Sequence, residues 1–517
     1  MYLLGIDVGT TNWKVVAYDH QGAPVASFRC SCRVHQHEDG FACYWPKELW
    51  ATLAGGIRSV VEQLGDPGAV DGLAVGSIGE SGVLLDAAGE PLFPSLAWFD
   101  PCTRPQARRW LRGTDVHELY AVTGFAPQHI ASVNKLLWLR EEHPDVCARA
   151  RRWLCISDYV AFRLSGEAAM DYSLASRTGL LDLRRREWSD RLLERAGVSA
   201  QLLPPLVASG TVIGGVSREA ARLTGLLPGT PVCAGGHDHI CGAFAAGASV
   251  PGVAVDSTGT AEAVLLVLPE PRGDASLCDA GLSAGCHVVP GQYYLIGTIL
   301  TSGAVVEWLR EQLGDKGIPA DDPGAAYRAL SDSAATVPPG ADGLLFLPHL
   351  RGSIANPVDP RSRAAFVGLT DAHTRAHLVR AALEGVCHDL RALLARMERL
   401  TGARARQLIA VGGAVRNPFW LQLKADVLGR TVVVPEIEEA VALGAALLAG
   451  LGVGVYASPD AIRQVRGAAA ARYTPRREPA SVYRRQHRLY RRLYPALRAL
   501  SAALTAAERG EEPKGEE

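Results

Sequence analysis

Two short apolar runs separated by a polar turn open the chain. The runs LLGIDV (3–8) and VVAY (15–18) flank a segment in which glycine, two threonines, asparagine and lysine occur close together. Short apolar runs on either side of a turn are typical of a β-hairpin. We therefore predict that residues 3–18 form a hairpin whose turn is rich in hydroxyl groups.

This turn has the chemistry of a phosphate-binding loop. Gly9 lets the backbone bend without a side chain in the way. Successive N–H groups, with the hydroxyls of Thr10 and Thr11, form a concavity that suits phosphate oxygens. The carboxylate of Asp7, at the end of the first strand, suits the magnesium ion that accompanies a nucleotide. An ordinary N-terminal hairpin would have the same pattern, so this stretch alone leaves both interpretations open.

Apolar runs with strand and helix periods alternate along the rest of the chain, which favours an α/β fold. We predict further strands at 23–28, 72–78, 83–86 and 231–236. We predict helices at 47–64, 104–111, 115–122, 133–142, 147–164, 190–196 and 240–248.

The second half of the chain opens as the first half does. The segment GVAVDSTGTAEAVLLV (252–267) again gives a strand, an aspartate (Asp256), a hydroxyl-rich turn and a strand, about 250 residues after the first. This weak repeat predicts two like domains that face each other across a cleft. We place the domains at 1–250 and 251–455, and an arginine-rich helical tail without a chemical role at 456–517.

The composition narrows the class of partner. The chain has 517 residues, with 48% hydrophobic and 21% charged residues, as in ordinary globular proteins. A net charge of −1 gives no global basic field for nucleic acid or an anionic membrane. The longest apolar run, 441–457, contains four glycines and is short for a bilayer span. We therefore expect neither nucleic acid nor a membrane as a partner.

The number and placement of the cysteines indicate the redox state of the compartment in which the protein works. The eleven cysteines are scattered, form no CxxC motif and mostly lie in apolar runs, where a free thiol packs as a small hydrophobe. The N-terminus lacks a basic segment followed by an apolar stretch, so no signal peptide is expected. Together these features favour the reducing cytoplasm over a disulfide scaffold.

The nucleotide and hydrolase motifs of other folds are missing from the sequence. There is no GxxxxGK[ST], no convincing GxGxxG after a strand and no HExxH. If the protein binds a nucleotide, the paired hairpins must hold it.

The run His237-Asp238-His239 is the most chemically suggestive segment. It lies between a predicted buried strand and a helix of small residues, and functional residues gather at such strand ends. A carboxylate at a helix N-terminus is stabilised as the anion, ready to accept a proton from a hydroxyl. The alternative is that Asp238 merely caps the helix. A zinc site is disfavoured because no third and fourth ligand are apparent.

Other polar residues follow predicted strands. Glu80 lies in the tight GESG segment after a buried strand, and with Ser81 it is a candidate for binding substrate. A turn carboxylate that faces water is the alternative for Glu80. Asp100 and Arg104, in WFDPCTR, could bind polar groups of a substrate, although Asp-Pro also commonly starts a turn.

A glycine pair marks the end of a strand near the C-terminus. Gly412 and Gly413 follow the apolar run LIAV, and Asn417 precedes a predicted helix. Such a pair lets a flat ring approach the backbone closely. A plain tight turn is the alternative.

Five stretches, in family order, resemble the FGGY family of carbohydrate kinases. They are GIDVGTTNWK (5–14), SVNKLLWLREE (132–142), AGGHDH (234–239), AAFVGLTDAHTRAHLVRAALEG (364–385) and GGAVRNPFWLQLKADVLGRTVVVPEIEEAVALGAA (412–446). The resemblance implies two duplicated domains of the ribonuclease H-like, actin-like ATPase type, with mixed sheets flanked by helices and a cleft between them.

The resemblance also implies roles for individual residues. Asp238 would be the general base for a sugar hydroxyl, Asp7 would hold Mg²⁺, and His237 and His239 would lie beside the substrate. ATP would contact residues from both domains: Thr10, Thr11, Asn12 and Lys14 from the first, and Gly259, Thr260, Gly303, Glu307, Gly413 and Asn417 from the second.

The sequence departs from the family pattern at the substrate positions. Glycerol kinases carry Arg-Glu where this chain has Gly79-Glu80, and xylulokinases carry Met-His there. Glycerol kinases carry an aromatic residue two positions before the serine of the SVNK segment, and this chain has Ile130 there. Deoxysugar kinases usually carry His-Asp-Thr at this place, so His237 resembles that pattern and His239 does not. The resemblance therefore implies a sugar kinase without naming its sugar.

We predict transfer of the γ-phosphoryl group of ATP to a hydroxyl of a small ketose, such as a xylulose-like pentulose, or of a polyol. The partner would be this small molecule, with a homodimer possible. The alternative class is an actin-like ATPase switch or chaperone that acts on a protein, and a non-catalytic sugar sensor is a third. The switch would not need the AGGHDH segment or both family signatures, and the presence of both Asp7 and Asp238 disfavours the sensor.

Overall fold

Two mixed β-sheets organise the molecule. The computed structural model describes residues 1–314, 323–355, 357–465 and 469–508. The strands of the first half are β1 (Tyr2–Val8), β2 (Asn12–Tyr18), β3 (Pro24–Ser31), β4 (His35–Gln36), β5 (Ala42–Tyr44), β6 (Val70–Ser77), β7 (Gly82–Leu85), β8 (Ser95–Leu96), β9 (Arg152–Cys155), β10 (Met170–Asp171), β11 (Leu181–Asp182), β12 (Glu187–Trp188), β13 (Leu206–Val207), β14 (Val212–Gly215) and β15 (Pro231–His237).

The helices of the first half lie between these strands. They are α1 (Pro46–Leu64), α2 (Arg104–Leu111), α3 (Val116–Thr123), α4 (Ser132–Glu142), α5 (Pro144–Arg149), α6 (Ile156–Ser165), α7 (Tyr172–Ala175), α8 (Asp190–Ala196), α9 (Arg218–Thr224) and α10 (Asp238–Ala245).

The second half repeats the alternation. Its strands are β16 (Val253–Thr258), β17 (Glu262–Leu268), β18 (Ser283–Cys286), β19 (Tyr293–Ile299), β20 (Leu345–Leu347), β21 (Ser353–Ile354), β22 (Val358–Asp359), β23 (Ala365–Val367), β24 (Gln407–Gly412), β25 (Val432–Pro435) and β26 (Ala469–Tyr473). Its helices are α11 (Ala275–Asp279), α12 (Gly303–Leu313), α13 (Pro323–Ala335), α14 (Arg375–Thr401), α15 (Pro418–Leu428), α16 (Ala440–Gly452), α17 (Pro459–Val465) and α18 (Ala480–Glu508).

The two sheets have the same central arrangement. The first has the order β14-β15-β6-β1-β2-β3, and the second has the order β18-β19-β17-β16-β24-β25-β26. In the first sheet, β1 pairs antiparallel with β2 and parallel with β6. In the second sheet, β16 pairs antiparallel with β17 and parallel with β24. The predicted α/β class and both predicted hairpins are confirmed.

Helices α10 and α16 pack between the sheets. Apolar side chains of both helices form one core with residues of β1, β2, β16 and β17. Glycines let the backbones approach closely: a side chain at Gly5 would lie 1.7 Å from the Ala442 carbonyl oxygen, and one at Gly444 would lie 2.1 Å from the Cys241 carbonyl oxygen. The small residues of α16 are therefore what permits this layer.

One predicted helix is wrong in part. We predicted a single helix over 147–164, but the structure has α5, then strand β9, then α6. Strand β9 pairs antiparallel with β7, and Trp153 at its centre is fully buried against Gly82. The apolar run WLC reads equally well as helix or strand, and a pairing about 70 residues back in the chain decides it.

The domain limits stay a prediction, because elements of the second half contact the first. Helix α16 packs on β1, β6 and β15, and β26 from the predicted tail extends the second sheet. The tail helix α18 is partly buried, since the Tyr483 hydroxyl lies 2.9 Å from Glu384 Oε1 of α14. The predicted frayed end, 509–517, lies outside the described residues. Within the described ranges, none of the helices has the length and apolar character that crossing a membrane requires.

Candidate active site

Strand register gathers the candidate carboxylates at one edge of the first sheet. Parallel pairing sets Asp7 of β1 opposite Gly76 of β6, and His237 of β15 opposite Ser77. The carboxyl ends of β1, β6 and β15 therefore meet, and the residues that follow them converge. Asp7, Glu80 and Asp238 come from these three strand ends. They lie close together, because the charge of Asp238 raises the pKa of Asp7 and the charge of Glu80 raises the pKa of Asp238.

Asp238 is the first residue of α10, with His237 as the N-cap. The prediction began this helix at residue 240, two residues late. Asp238 Oδ1 accepts a hydrogen bond from the backbone N–H of His239 at 2.6 Å and lies 3.2 Å from His237 Nε2. Burial raises the pKa of Asp238 above its usual range, and the positive charge of His239 opposes this only in part. A carboxylate whose pKa is raised holds a proton more readily than an exposed one.

His237 is a neutral partner of Asp238. Burial lowers the pKa of His237 well below its usual value, and the charges of Arg177 and His239 lower it further. Its Nε2 lies 3.2 Å from Asp238 Oδ1, while its backbone N–H donates to the Ser173 hydroxyl at 2.9 Å. The ring of His239 lies 5.5 Å from that of His237. His237 therefore orients the carboxylate without neutralising its charge.

Asp7 is a buried carboxylate with an incomplete set of partners. Its Oδ2 lies 3.3 Å from Lys14 Nζ, and Lys14 is shared with Glu439 at 2.5 Å. Burial raises the pKa of Asp7 to about 7, with a further upward contribution from the charge of Asp238, while Lys14 opposes both. Asp7 Oδ1 lies 3.5 Å from the place a side chain on Gly9 would take, so it faces the turn of the hairpin.

This environment fits a hard divalent cation. Magnesium prefers carboxylate oxygens and usually keeps water and substrate phosphates as its other ligands. Within the described ranges no group of three or more histidine, cysteine, aspartate or glutamate side chains is placed to hold a metal. Asp7 would thus supply a protein oxygen to a metal that arrives with a nucleotide.

The first hairpin turn has the predicted backbone. The N–H of Gly9 donates to the Asn12 carbonyl at 3.2 Å, which closes the turn. Thr11 is exposed, and Thr10 Oγ1 accepts a hydrogen bond from Trp98 Nε1 at 2.9 Å. We did not predict Trp98, although it lies in the LAWFDPCTR stretch. It fixes one of the two threonine hydroxyls at the turn.

Glu80 has a strained backbone. Its φ of 62° is in the left-handed region, which costs a residue with a side chain about 1–2 kcal/mol. Three contacts hold this conformation: Ser132 Oγ donates to the Glu80 carbonyl at 3.0 Å, the Ser81 N–H donates to the Gly79 carbonyl at 2.7 Å, and Ser81 Oγ donates to the Leu96 carbonyl at 2.9 Å. Ser81 is fully buried, so its hydroxyl supports the turn.

Arg177 pairs with Glu80 and was not predicted. Arg177 Nε donates to Glu80 Oε1 at 2.7 Å, and Nη2 of the same guanidinium contacts the same oxygen. The guanidinium lies over the Phe125 ring, 4.4 Å from its centroid, and its charge lowers the pKa of Tyr294 in the second sheet against the effect of burial. Both members of the Glu80–Arg177 pair are buried. An arginine within the apolar run LASRTGLL was the available signal.

Gly79 explains how this arginine reaches Glu80. A side chain at Gly79 would lie 3.2 Å from Arg177 Cγ and 3.1 Å from Cδ2 of the His237 ring. The space beside Gly79 is therefore filled by Arg177 and His237. Glycerol kinases carry arginine at this position, and here a guanidinium reaches Glu80 from a residue 97 positions away.

A second buried cation lies near Glu80. Lys135, in the SVNK signature, is buried and donates from Nζ to the Ile130 carbonyl at 2.6 Å. Burial lowers the pKa of Lys135 to about 8, and the charge of Glu80 opposes that shift. Lys135 was part of the quoted signature but was not predicted as a site residue.

Asp100 and Arg104 occupy structural positions. Asp100 Oδ1 accepts from the Cys102 N–H at 2.8 Å, and Oδ2 accepts from the Ala42 N–H at 2.7 Å. Asp100 is thus the cap of a short 3₁₀ helix, as the Asp-Pro alternative indicated. Arg104 begins α2 and is exposed. Their role in binding substrate stays a prediction.

The second hairpin repeats the backbone of the first with different chemistry. Asp256, the counterpart of Asp7, is fully buried and lies 2.5 Å from Lys424 Nζ. The same ammonium lies 3.0 Å from Glu262 Oε1 and donates to Thr258 Oγ1 at 2.7 Å. The Lys424 cluster, which we define as Asp256, Thr258, Glu262 and Lys424, is therefore a closed ionic network inside the second half.

The glycines predicted to bind nucleotide lie near the second hairpin turn. Gly259 and Thr260 are exposed in the turn, and the N–H of Gly303 donates to the Gly259 carbonyl at 3.0 Å. A side chain at Gly303 would lie 2.3 Å from that oxygen. Gly412 has a φ of 87°, and a side chain there would lie 2.6 Å from the Thr258 carbonyl oxygen. Gly413 follows it and is exposed.

Glu307 and Asn417 have partners within the protein. Glu307, one turn into α12, accepts from Arg310 Nε at 3.0 Å and contacts the Tyr327 hydroxyl. Asn417 Oδ1 accepts from the Trp420 N–H at 3.1 Å and caps α15, while its Nδ2 donates to the Ser331 hydroxyl at 2.9 Å. Their contact with nucleotide stays a prediction.

Similarity to known proteins agrees with this geometry. Residues 2–245 match the family model described as "FGGY family of carbohydrate kinases, N-terminal domain", and residues 254–453 match the C-terminal domain of that family. The chain is 29% identical to a gluconokinase from Bacillus subtilis over 489 residues, covering 93% of each chain. It is also 29% identical to a xylulose kinase from the same organism over 507 residues, covering 97% of this chain and 98% of the relative.

A solved structure has the same fold. The xylulose kinase from Rhodospirillum rubrum superposes with a TM-score of 0.89 at 29% identity, covering 97% of this chain and 100% of that one. The fold and the site together define a sugar phosphotransferase of the actin-like ATPase fold. The chain belongs to the FGGY family of carbohydrate kinases. Kinases of this family use ATP, generally with Mg²⁺.

Proposed function

We propose that this kinase phosphorylates a hydroxyl of a small ketose or polyol, with Asp238 as the general base. The observation that supports the proposal is the half-buried carboxylate of Asp238 at the joint edge of β1, β6 and β15, beside neutral His237 and close enough to Asp7 for its charge to raise the pKa of Asp7. The actin-like switch is not favoured, because both family models match kinases of small carbohydrates.

Asp238 would accept the proton of the sugar hydroxyl as the phosphoryl group is transferred. A base works best when its pKa lies near the operating pH, and burial moves the pKa of Asp238 in that direction. Such a base typically contributes about 10²–10⁴ in rate, or roughly 3–5 kcal/mol. His237 keeps the carboxylate oriented toward the acceptor hydroxyl.

Asp7, Lys14 and the first hairpin turn would hold the phosphates. Magnesium, when bound, neutralises charge on the transferred phosphoryl group. Asp7 would contact it directly or through water, while Lys14, Thr10, Thr11 and Asn12 face the β- and γ-phosphates. Gly259, Thr260, Gly303, Glu307, Gly413 and Asn417 would line the nucleotide site in the second half.

The Glu80–Arg177 pair would select the sugar. Both hydrogen bonds from Arg177 go to Glu80 Oε1, and Glu80 Oε2 accepts none from the described residues. One carboxylate oxygen is thus available to accept a hydrogen bond from a sugar hydroxyl, beside a guanidinium that can donate to a second oxygen. We propose this pair as the replacement for the Arg-Glu pair of glycerol kinases.

The charge of this pair favours a neutral substrate. Glu80 and Arg177 balance each other, and Asp238 must be negative to act as a base. A substrate carboxylate would meet two carboxylates there, which is unfavourable in a buried site. The equally similar relatives act on different sugars, since their names are gluconokinase and xylulose kinase. We therefore base the choice of ketose or polyol on the site.

Closure of the cleft would exclude water, which competes with any sugar as the acceptor. Two contacts already join the halves at the site: Lys14 pairs with Glu439, and Arg177 lies beside Tyr294. The predicted homodimer is a separate proposal, which a solution mass measurement would test.

A coupled ADP-release screen tests the substrate class. We expect ADP release to rise with one or more pentuloses, hexuloses, tetritols or glycerol, and not with aldonic acids. Activity confined to aldonic acids would contradict the role given to Glu80. ATP hydrolysis that no sugar stimulates would contradict the function as a whole.

Asp238→Asn tests the base. We expect sugar phosphorylation to fall about 10²–10⁴-fold, while the Kd for ATP is little changed. Asp190→Asn is the matched control, because Asp190 is also the first residue of a helix but is exposed and far from the site in sequence. Near-normal turnover by Asp238→Asn would remove this residue from the role.

A further inference from the structure

A cavity in the second half is unrelated to the proposed sugar and nucleotide sites. It has a volume of about 330 Å³ and lies between α14 and α18, with β20 and the segment after it as its floor. This volume is at the small end of the range for ligand pockets. We call it the distal cavity and define it by the six histidine, aspartate and arginine residues that line it: His349, Asp389, Arg396, Arg399, His487 and Arg491.

Arginines dominate its rim. Arg399 on α14 and Arg491 on α18 are exposed, and neither forms an ion pair with a described residue. Arg396 is half-buried, and burial lowers its pKa. The nearby charge of Arg399 lowers this pKa further, while Asp279 opposes that effect. Like charges held close together are unfavourable without an anion between them. The rim therefore has the charge pattern of an anion-binding site.

The interior offers polar groups without partners. His349 is 3% exposed, its Nδ1 is bonded to the Ser362 hydroxyl at 2.7 Å, and its Nε2 has no hydrogen-bond partner among the described residues. Nε2 lies 3.9 Å from Asp389 Oδ2, which is too long for a direct hydrogen bond. An oxygen atom placed in this gap would satisfy His349 Nε2 and could also contact Asp389, which already interacts with the Tyr490 hydroxyl. The buried Nδ1 of His487 also has no partner within those ranges.

The interior carries little charge of its own. Burial lowers the pKa values of His349 and His487 to about 4, so both are neutral at pH 7. Burial raises the pKa of Asp389 to about 7, so it is partly protonated there. The cavity thus combines a cationic rim with an interior of neutral or weakly charged hydrogen-bonding groups.

We propose that the distal cavity binds a small phosphate ester that also carries hydroxyl groups. Its phosphate would lie against Arg399 and Arg491, because guanidinium groups match phosphate oxygens in geometry and charge. A hydroxyl would reach the gap between His349 Nε2 and Asp389. The site is independent of the sugar that the kinase phosphorylates.

The cavity is connected to the rest of the second half through its two helices. Arg380 and Glu384 of α14 form hydrogen bonds with the Tyr483 hydroxyl of α18, at 2.8 and 2.9 Å. Helix α14 also packs on α12 and α15, which begin at the candidate nucleotide residues Gly303 and Asn417. A ligand in the cavity would therefore stiffen helices that support the nucleotide site.

Calorimetric titration of the whole protein tests the proposal with three probes. Glycerol 3-phosphate, inorganic phosphate and glycerol are titrated with saturating ADP and Mg²⁺, so that the nucleotide site is filled. We expect glycerol 3-phosphate to bind most tightly, inorganic phosphate more weakly and glycerol not measurably. No binding of either phosphate, or binding of glycerol as tight as that of its phosphate, would overturn the proposal.

Two variants locate the binding. Arg399→Ala/Arg491→Ala should raise the Kd of glycerol 3-phosphate by about tenfold or more, since it removes two charge-assisted contacts. Ala392→Phe should weaken binding by filling the cavity, without any change in charge. Arg488→Ala/Arg492→Ala, exposed on α18 and outside the cavity lining, is the matched control and should bind normally.

Binding that survives both cavity variants would place the ligand in the sugar cleft and overturn the proposal. A change in solution mass in Arg399→Ala/Arg491→Ala, together with no phosphate binding by the native protein, would show that the arginines belong to an interface between copies of the chain. That result would also overturn it.

Discussion

The two hairpins have one backbone plan and opposite electrostatics. Asp7 and Asp256 occupy equivalent places in strands that pair antiparallel with the next strand and parallel with a later one. Asp7 shares one lysine with Glu439 and lies beside the hairpin turn. Asp256 is sealed against Lys424, which has no exposed surface.

The difference shows what each copy is suited to do. The carboxylate of Asp7 has a pKa raised to about 7, because its partners do not compensate for burial. It can therefore gain from a metal ion. The Lys424 cluster already has a cation among its carboxylates, so a metal would find that position taken. The first hairpin is suited to chemistry and the second to rigid support of its own turn.

Removing Lys424 should have the largest effect on stability. Lys424→Met would leave Asp256 and Glu262 buried without their cation, which costs about 3–5 kcal/mol in comparable buried pairs. The free energy of unfolding, measured by urea denaturation, checks this. Lys14→Met is the matched control and should cost about 1 kcal/mol or less, because Lys14 is partly solvated. An equal loss of unfolding free energy in the two variants would contradict the electrostatic difference between the hairpins.

Arg177→Lys should lower the efficiency with which the sugar is phosphorylated and leave the use of ATP unchanged. Lysine keeps the charge beside Glu80 but lacks the planar fork of a guanidinium. We expect kcat/KM for the sugar to fall about 10–100-fold, with the KM for ATP unchanged, because one charged hydrogen bond is worth about 1.5–3 kcal/mol.

Arg195→Lys provides the control for Arg177→Lys. Arg195 also stacks on an aromatic ring, with its guanidinium 5.0 Å from the centroid of Trp110, but it lies outside the site. Arg195→Lys should behave as the native protein does. Unchanged sugar kinetics in Arg177→Lys, or an equal loss for sugar and ATP, would separate Arg177 from substrate selection.

The pH dependence should show the raised pKa of Asp238. The base works when ionised, so activity is lost as the pH falls through its pKa. Because burial raises that pKa, the loss should begin well above the range of an ordinary aspartate, whose pKa is about 3.9. The profile of kcat/KM for the sugar, at saturating Mg²⁺ and ATP, measures it. A flat profile down to pH 5 would argue against the buried base.

Local features of the site could be predicted from the sequence, and long-range pairings could not. The hairpin with Asp7 and the strand end with Asp238 follow from short patterns of apolar and polar residues. Arg177 reaches Glu80 across 97 residues, and Lys424 reaches Asp256 across 168, so no local pattern links them. In the sequence, Gly79 indicated that Glu80 lacks the arginine partner found in glycerol kinases. In the structure, the space beside Gly79 is occupied by Arg177, which pairs with Glu80.

The same limit explains the missed strand β9. Its residues pair with β7, and the fully buried Trp153 packs against Gly82. Helical periodicity on both sides concealed a four-residue strand in the middle. The function of Asp100 was equally ambiguous, since an Asp-Pro pair suits a cap as well as a ligand site, and its oxygens accept from two backbone N–H groups.

The most direct test of the account compares Asp7→Asn with Asp256→Asn in two assays. For Asp7→Asn, the account predicts that sugar phosphorylation falls about 10²–10³-fold, since several kcal/mol of metal-dependent stabilisation are lost, while the free energy of unfolding is kept. For Asp256→Asn it predicts a loss of about 1–3 kcal/mol in unfolding free energy, with most of the activity retained in the folded fraction. Equal loss of activity in both variants, at unchanged stability, would contradict the account.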